Sequence, residues 1–193
     1  FDDVIGQEWN DTDSQVGYTF SAWIKPSEFN GENYLFAQKS NSDGVQIGIR
    51  WDCLVISHGR GDWLRGKTKL NDYVSSDSDG WIHVLYQYDG PTNIASVYLD
   101  GKFEGQRNLR EPERRDQGHL IIGAGVTTQD DVDMDFVGSV DEVAIWKEKI
   151  PVSLIKRLST GLSPIESMPD TDNDGFLDEW ETQYANNLTT LDG

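Results

Sequence analysis

The chain has 193 residues, 36% of them hydrophobic and 11% aromatic, enough for one well-packed domain and against wholesale disorder. With 34 acidic and 16 basic residues it carries a net charge of −18, which argues against electrostatic capture of nucleic acid or of anionic membranes. No stretch approaches the roughly 20 apolar residues of a membrane span, so membrane insertion is not expected.

The chain opens at Phe1 without a signal peptide, and further residues are expected upstream. From residue 16 onward short strands alternate with turn chemistry. "VGYTFSAWIKP" places Tyr18, Phe20, Ala22 and Ile24 on one face and stops at Pro26. "YLFAQKS" ends at the turn signal "NSDG", and "VQIGIRW" follows. "CLVISH" runs into the loop "GRGDW"; the "RGD" in it is too short to carry meaning as an integrin-binding tripeptide. Cys53, the one cysteine, has no intrachain disulfide partner and reads as a small core residue. "WIHVLYQYDG" and "ASVYLDGK" form a hairpin around "DGPTN", and "HLIIGAG" and "FVGSVDEVAIW" complete the set. Turns every ten or so residues predict an all-β, antiparallel two-sheet jelly-roll sandwich, with His83 and His119 structural within strands.

A short amphipathic helix, "PVSLIKRLS", is predicted next, with Pro151 in its first turn. "TGLSPIESMP" then reads as a linker into "DTDNDGFLDEWE". In that stretch Asp170, Asp172 and Asp174 hold positions 1, 3 and 5 of a twelve-residue loop, Gly175 position 6, Phe176 position 7, Asp178 position 9 and Glu181 position 12. This is the ligand spacing of an EF-hand calcium loop: alternating carboxylates, a backbone carbonyl from Phe176 and a bidentate glutamate, with a glycine for the sharp turn. The alternative is a solvated acidic segment. Pro164 and Pro169 exclude a regular entering helix, while Leu177, Trp180 and Tyr184 follow at helical spacing. The loop resembles the bacterial thrombospondin type 3 repeat, and is similar to half of a dockerin repeat; the resemblance implies an array of such repeats in a secreted protein.

The sandwich carries a second resemblance. "YTFSAWIKP", "WIHVLYQYDG", "VYLDGK", "HLIIGAG" and "FVGSVDEVAIWKEKIPVSLI" occur in the order of a laminin G-like domain of the concanavalin A-like superfamily. The resemblance implies a two-sheet jelly roll in which Trp23, Trp81 and Trp146 are mostly structural. It divides the chain into a sandwich at 1–160, a linker at 161–169 and a calcium-binding segment at 170–193. Related laminin G-like and pentraxin-like domains often hold calcium at the rim, which implies a site from Asn41 and Asp43 together with Gln129, Asp130, Asp131, Asp133 and Asp135; solvated acidic loops are the alternative. A further structural calcium beside Asp141, with Asp2 or Asp3, is also implied, the alternative being a strand-end carboxylate bonded to backbone amides.

Ligand-binding candidates are the aromatics outside the expected core. Trp9, Trp51, Trp63 and Tyr73 lie in or beside predicted loops, and "SHGRGDWLRG" gathers His58, Arg60, Asp62, Trp63 and Arg65. Flat aromatic faces stack on sugar rings while neighbouring polar groups bond the hydroxyls; plain surface packing is the alternative. Catalysis is not expected. The fold's family-16 glycoside hydrolases carry "E-x-D-x-x-E" on one strand, and this sequence lacks it; "DDVDMDF" has no glutamate. The sequence therefore predicts a non-catalytic extracellular module, secreted or at a cell surface, in a larger and bacterial parent chain with further domains. Its expected partner is a glycan or polysaccharide and its expected cofactor calcium. The alternative is a protein-interaction or spacer domain with architectural calcium.

Overall fold

The computed structural model describes residues 17–40, 43–58, 61–74, 79–110, 120–126 and 132–164. In a strand successive side chains point to opposite faces, so the alternation of Tyr18, Phe20, Ala22 and Ile24 makes strand β1 (Tyr18–Pro26), with all four side chains in the core. Strand β6 (Ile82–Asp89) repeats the pattern with Ile82, Val84, Tyr86 and Tyr88 and pairs antiparallel with β1. With β7 (Ile94–Leu99), β8 (Lys102–Asn108) and β12 (Gly138–Trp146) these form one sheet in the order β12-β1-β6-β7-β8. The second sheet has the order β5-β4-β3-β2-β9, from β2 (Glu32–Ser40), β3 (Asp43–Arg50), β4 (Cys53–Ser57), β5 (Trp63–Arg65) and β9 (Leu120–Ile122). A small ladder joins β10 (Gly125–Val126) to β11 (Val132–Asp133). Every ladder within these sheets is antiparallel, as the sequence predicts for a jelly-roll sandwich.

The sheets pack face to face through rings. Phe20 lies 5.2 Å from Phe36 across the core, and the hydroxyl of Tyr86 donates 3.0 Å to the carbonyl of Gly48. At the β5–β8 edge the buried carboxylate of Glu104 accepts from Lys67 N at 2.9 Å and from Thr68 N and Oγ1 at 2.8 Å each, tying β8 to the turn after β5. A buried charge is tolerable when its acceptor oxygens are occupied in this way. Cys53 is buried, and burial pushes its thiol above the ordinary range.

Three elements differ from the sequence expectation. Pro151 does not lie in the first helical turn; its extended backbone (ψ 153°) makes it the N-cap, and helix α2 is Val152–Leu158. "LNDYV" forms a one-turn helix α1 (Leu70–Val74), and the polar "KFEGQRN" is strand β8. Both escaped for want of an apolar pattern: an edge strand buries only Glu104 and Gly105, and a single turn has no periodicity.

Helix α2 lies against the outer side of the β12-β1-β6-β7-β8 sheet. Its Ile155 and Leu158 pack with Ile150, Leu85 and Tyr98, with Trp146 and Leu154 at the margin. Thr19 Oγ1 fixes the approach, donating to the carbonyl of Glu148 and accepting from Ile150 N. On the same side His83 is buried as expected, its Nε2 2.8 Å from Ser21 Oγ and its ring 5.5 Å from Trp23.

Candidate functional site

The other sheet presents a different outer side. Ile47, Ile49, Leu54, Ile56 and Leu64 face the core, so strand alternation turns their neighbours outward. Register then sets three rows across the strands: Gln46, Ser57 and Trp63; Tyr34, Gly48, Val55 and Arg65; and Glu32, Arg50 and Cys53. Gly48 sits where β2 bulges between Tyr34 and Phe36, and its missing side chain leaves room for that strand.

Trp51 and Asp52 form the two-residue turn between β3 and β4, both with left-handed backbones (φ 51° and 64°). Such primed turns favour Asn and Gly, and a bulky residue there carries about 1–2 kcal/mol of strain. Five bonds hold it. Trp51 N donates to Gly31 O and Asp52 N to Phe29 O, at 3.3 and 3.1 Å. Lys69 Nζ donates to Trp51 O at 2.8 Å, Asn71 N to Asp52 Oδ1 at 2.7 Å, and Leu70 N to Asp52 O at 2.9 Å. The short helix α1 thus braces the turn.

The result is an aromatic pair. The indoles of Trp51 and Trp63 lie 5.5 Å apart, edge to face, although their backbones stand at opposite ends of β4. They lean toward each other along β4, whose outward residues Cys53 and Val55 are buried. Trp51 keeps 44% of its surface exposed. The Arg50 guanidinium lies over its ring, 4.0 Å from the centroid, and ion-pairs with Glu32 at 2.5 Å. Burial first, and then the Glu32 charge, push the Tyr34 phenol up to about 12. Arg50 Nε is buried and has no hydrogen-bond partner among the described residues.

The structure brings some of the predicted ligand residues together and separates others. Trp51, Trp63 and Asp62 share this end of the sheet. Trp63 is on an edge strand rather than in a loop, because β5 pairs with β4 from Ser57↔Trp63 onward. Asp62 is occupied: it accepts Arg110 N at 2.6 Å and lies 3.5–3.6 Å from the guanidinium groups of Arg110 and Arg107. His58 is corrected outright. It is 1% exposed, its Nδ1 donates to Arg110 O at 2.7 Å, and its Nε2 therefore accepts from the Tyr18 hydroxyl. Wedged beside Tyr18 and Tyr88, it is a core residue, and burial lowers its pKa to about 4. Tyr73 is on α1 rather than in a loop; it packs partly on the core and donates 2.7 Å to Asp100 Oδ2. The sequence reading missed Arg50, Arg107 and Arg110 as parts of this edge. Only register and the β5–β8 contact reveal them.

Several expectations fall outside the described residues: Asp2, Asp3, Trp9, Asn41, Arg60, His119, Gln129, Asp130, Asp131 and the whole loop with Asp170, Asp172, Asp174, Phe176, Asp178 and Glu181. Of the implied rim set, Asp43 begins β3, Asp133 is exposed on β11 with its Oδ1 accepting Met134 N, and Asp135 bridges to Tyr34. Asp141 faces outward opposite Trp23 and accepts Glu142 N at 2.8 Å. Among the described residues no three His, Cys, Asp or Glu side chains converge on one point.

Comparison with known proteins places the architecture. A Bacteroides ovatus protein proposed to bind carbohydrate superimposes with a TM-score of 0.57 at 18% identity, over 76% of this chain and 42% of its own. The CBM40 module of Ruminococcus gnavus IT-sialidase, solved with α2,3-sialyllactose, gives 0.55 at 11%, over 76% of this chain and 84% of the module. A Paraclostridium bifermentans protein named non-toxic nonhemagglutinin is 30% identical over 98 residues, 49% of this chain. The chain spans 8% of the length of that relative. At residues 6–156 it matches the sequence pattern of the laminin G family described as the Concanavalin A-like lectin/glucanases superfamily. A match of that extent, on a two-sheet antiparallel sandwich, makes the chain a member of this family.

Proposed function

We propose that this is a non-catalytic carbohydrate-binding module of a larger secreted protein, and that the Trp51–Trp63 pair is its sugar platform. The observation that carries this is the strained display of Trp51: a fold that needed only a hairpin would have Asn or Gly there. Exposed indoles offer apolar faces for sugar rings. The nearby carboxylates of Asp62, Glu32, Asp52 and Glu104 are each engaged by protein donors, which supports binding over acid-base catalysis. The relatives named for, or solved with, carbohydrate lend the reading support.

Two substitutions test it. Trp63→Ala is expected to weaken glycan affinity by about 1–3 kcal/mol while the domain stays folded. Trp51→Asn is expected to weaken binding likewise, yet to leave the thermal midpoint unchanged or raised, because relief of the turn offsets lost packing. A purely structural Trp51 would behave in the opposite way, with stability falling by about 3 kcal/mol or more and no change on a glycan array. That outcome would favour a protein-interaction or spacer domain.

Calcium belongs to the same proposal. The segment 170–193 would bind one ion through Asp170, Asp172, Asp174, Asp178, Glu181 and the carbonyl of Phe176, stiffening the path from the sandwich at 1–160 through a linker at 161–169 to the next domain. The ligand chemistry is all hard oxygen, as calcium requires. Glu181→Gln, which removes charge from the bidentate ligand, is expected to weaken calcium binding most among single changes. Calorimetry and limited proteolysis with and without chelator read this directly, and a tail cleaved equally in both conditions contradicts it.

A further inference from the structure

The aromatic pair is bracketed by arginines. Arg50 approaches from β3, and Arg65 stands on β5 opposite Val55, two residues from Trp63 and on the same side of the sheet. In a chain with 34 acidic residues to 16 basic ones, residues 61–69 invert the balance: Arg65, Lys67 and Lys69 against Asp62 alone. No ion pair joins Arg65, Lys67 or Lys69 to an acid among the described residues. Asp62 pairs with Arg107 and Arg110 and Glu32 with Arg50, while Glu104 accepts from Lys67 N and Thr68. Arg65 is exposed and its side chain has neither ion pair nor hydrogen bond among the described residues, and Arg50 Nε lacks an acceptor there. A guanidinium group without an acid partner, such as that of Arg65, beside a hydrophobic platform is complementary to a ring that carries an oxyanion, since the planar fork bonds carboxylate or sulfate through two donors at once.

We propose that the ligand of this face is an acidic glycan, its sugar ring on Trp51 and Trp63 and its carboxylate or sulfate held by Arg65 with help from Arg50. This rests on the carbohydrate reading above and narrows its substrate class. The local positive charge also serves selection: in a protein of net charge −18, a basic edge is where an acidic chain can approach.

The experiment uses the full chain on immobilised glycans of matched backbone: a uronate polysaccharide, a sulfated one, a sialylated oligosaccharide, and the neutral, esterified or desulfated form of each. At least one acidic glycan is expected to bind about tenfold or more tighter than its neutral counterpart, with Arg65→Gln erasing about tenfold of that preference. Arg65→Lys should recover part of it, and Lys156→Gln, on the helix over the opposite sheet, none of the loss. Raising salt from about 0.1 to 1 M, which shortens screening from about 10 to about 3 Å, should weaken acidic binding alone. The uronate, sialate and sulfate arms identify the source of the oxyanion. Equal affinity for a neutral counterpart, untouched by Arg65→Gln, overturns the proposal and leaves the carbohydrate reading standing. Equal capture of inorganic polyphosphate or single-stranded DNA reduces the edge to ion exchange and also overturns it. Failure to bind any sugar defeats both.

Discussion

Gly48→Val is expected to destabilise the sandwich severely. A Cβ at this position would stand 2.3 Å from Asn33 O and 2.6 Å from Tyr34 Cα, both backbone atoms of the bulged neighbour β2. Neither can move without breaking the ladder that places Glu32 and Tyr34 opposite Arg50 and Gly48. Overpacking of this kind costs about 3 kcal/mol or more when only backbone can yield, a large part of a typical domain's stability of about 5–15 kcal/mol. Gly105→Ala is the control: its Cβ meets nothing closer than 3.8 Å, so urea unfolding should place it within about 0.5 kcal/mol of the parent. Equal stability of the two variants would show that β2 does not press on β3 as described.

Acid is expected to weaken the sandwich well above the carboxylate range. His58 and His83 are each lowered by burial to about 4, against 6.5 for a free imidazole. Below 6.5 the unfolded chain binds protons that the folded chain takes up only near 4. Stability therefore falls as pH drops from 6.5 to 4, by about 3 kcal/mol per ring over the full window, and neither ring contributes a slope above 6.5. Urea midpoints of the parent and of His83→Gln at pH 7, 5.5 and 4.5 isolate one ring from the many carboxylates. The variant, although less stable at pH 7, should lose stability less steeply. Parallel slopes would mean that His83 is solvated.

The sandwich was legible in the sequence because its inner strands alternate cleanly: Tyr18 to Ile24 and Ile82 to Tyr88 announce a face by residue type alone. The candidate site was legible only in part. Trp51 and Trp63 stood out as aromatics beside turn residues, but that they meet depends on where the β3–β4 turn falls and on the lean of both rings along β4. His58 was misread because a histidine among Gly, Arg and Asp looks exposed; its burial comes from Tyr18 and Tyr88, 40 and 30 residues away. Arg107 and Arg110 carried no local signal. They reach Asp62 and Trp63 only because β8 ends beside β5.

Helix α2 has a consequence for strength of attachment. Its apolar side covers part of the outer surface of one sheet, with Leu85 and Tyr98 beneath Ile155 and Leu158. Trp51 and Trp63 stand on the opposite sheet, so on the proposed reading each domain would grip with one hand. A shallow one-handed contact lets go quickly, and residence on a polymer then comes from repetition. Two such domains tethered on one chain, or two chains held together, rebind before both release, and joint affinity can exceed that of one domain by about 10²–10⁴ without any new contact. On the proposed reading, spacing between copies would govern retention on a surface as much as the chemistry of the site itself.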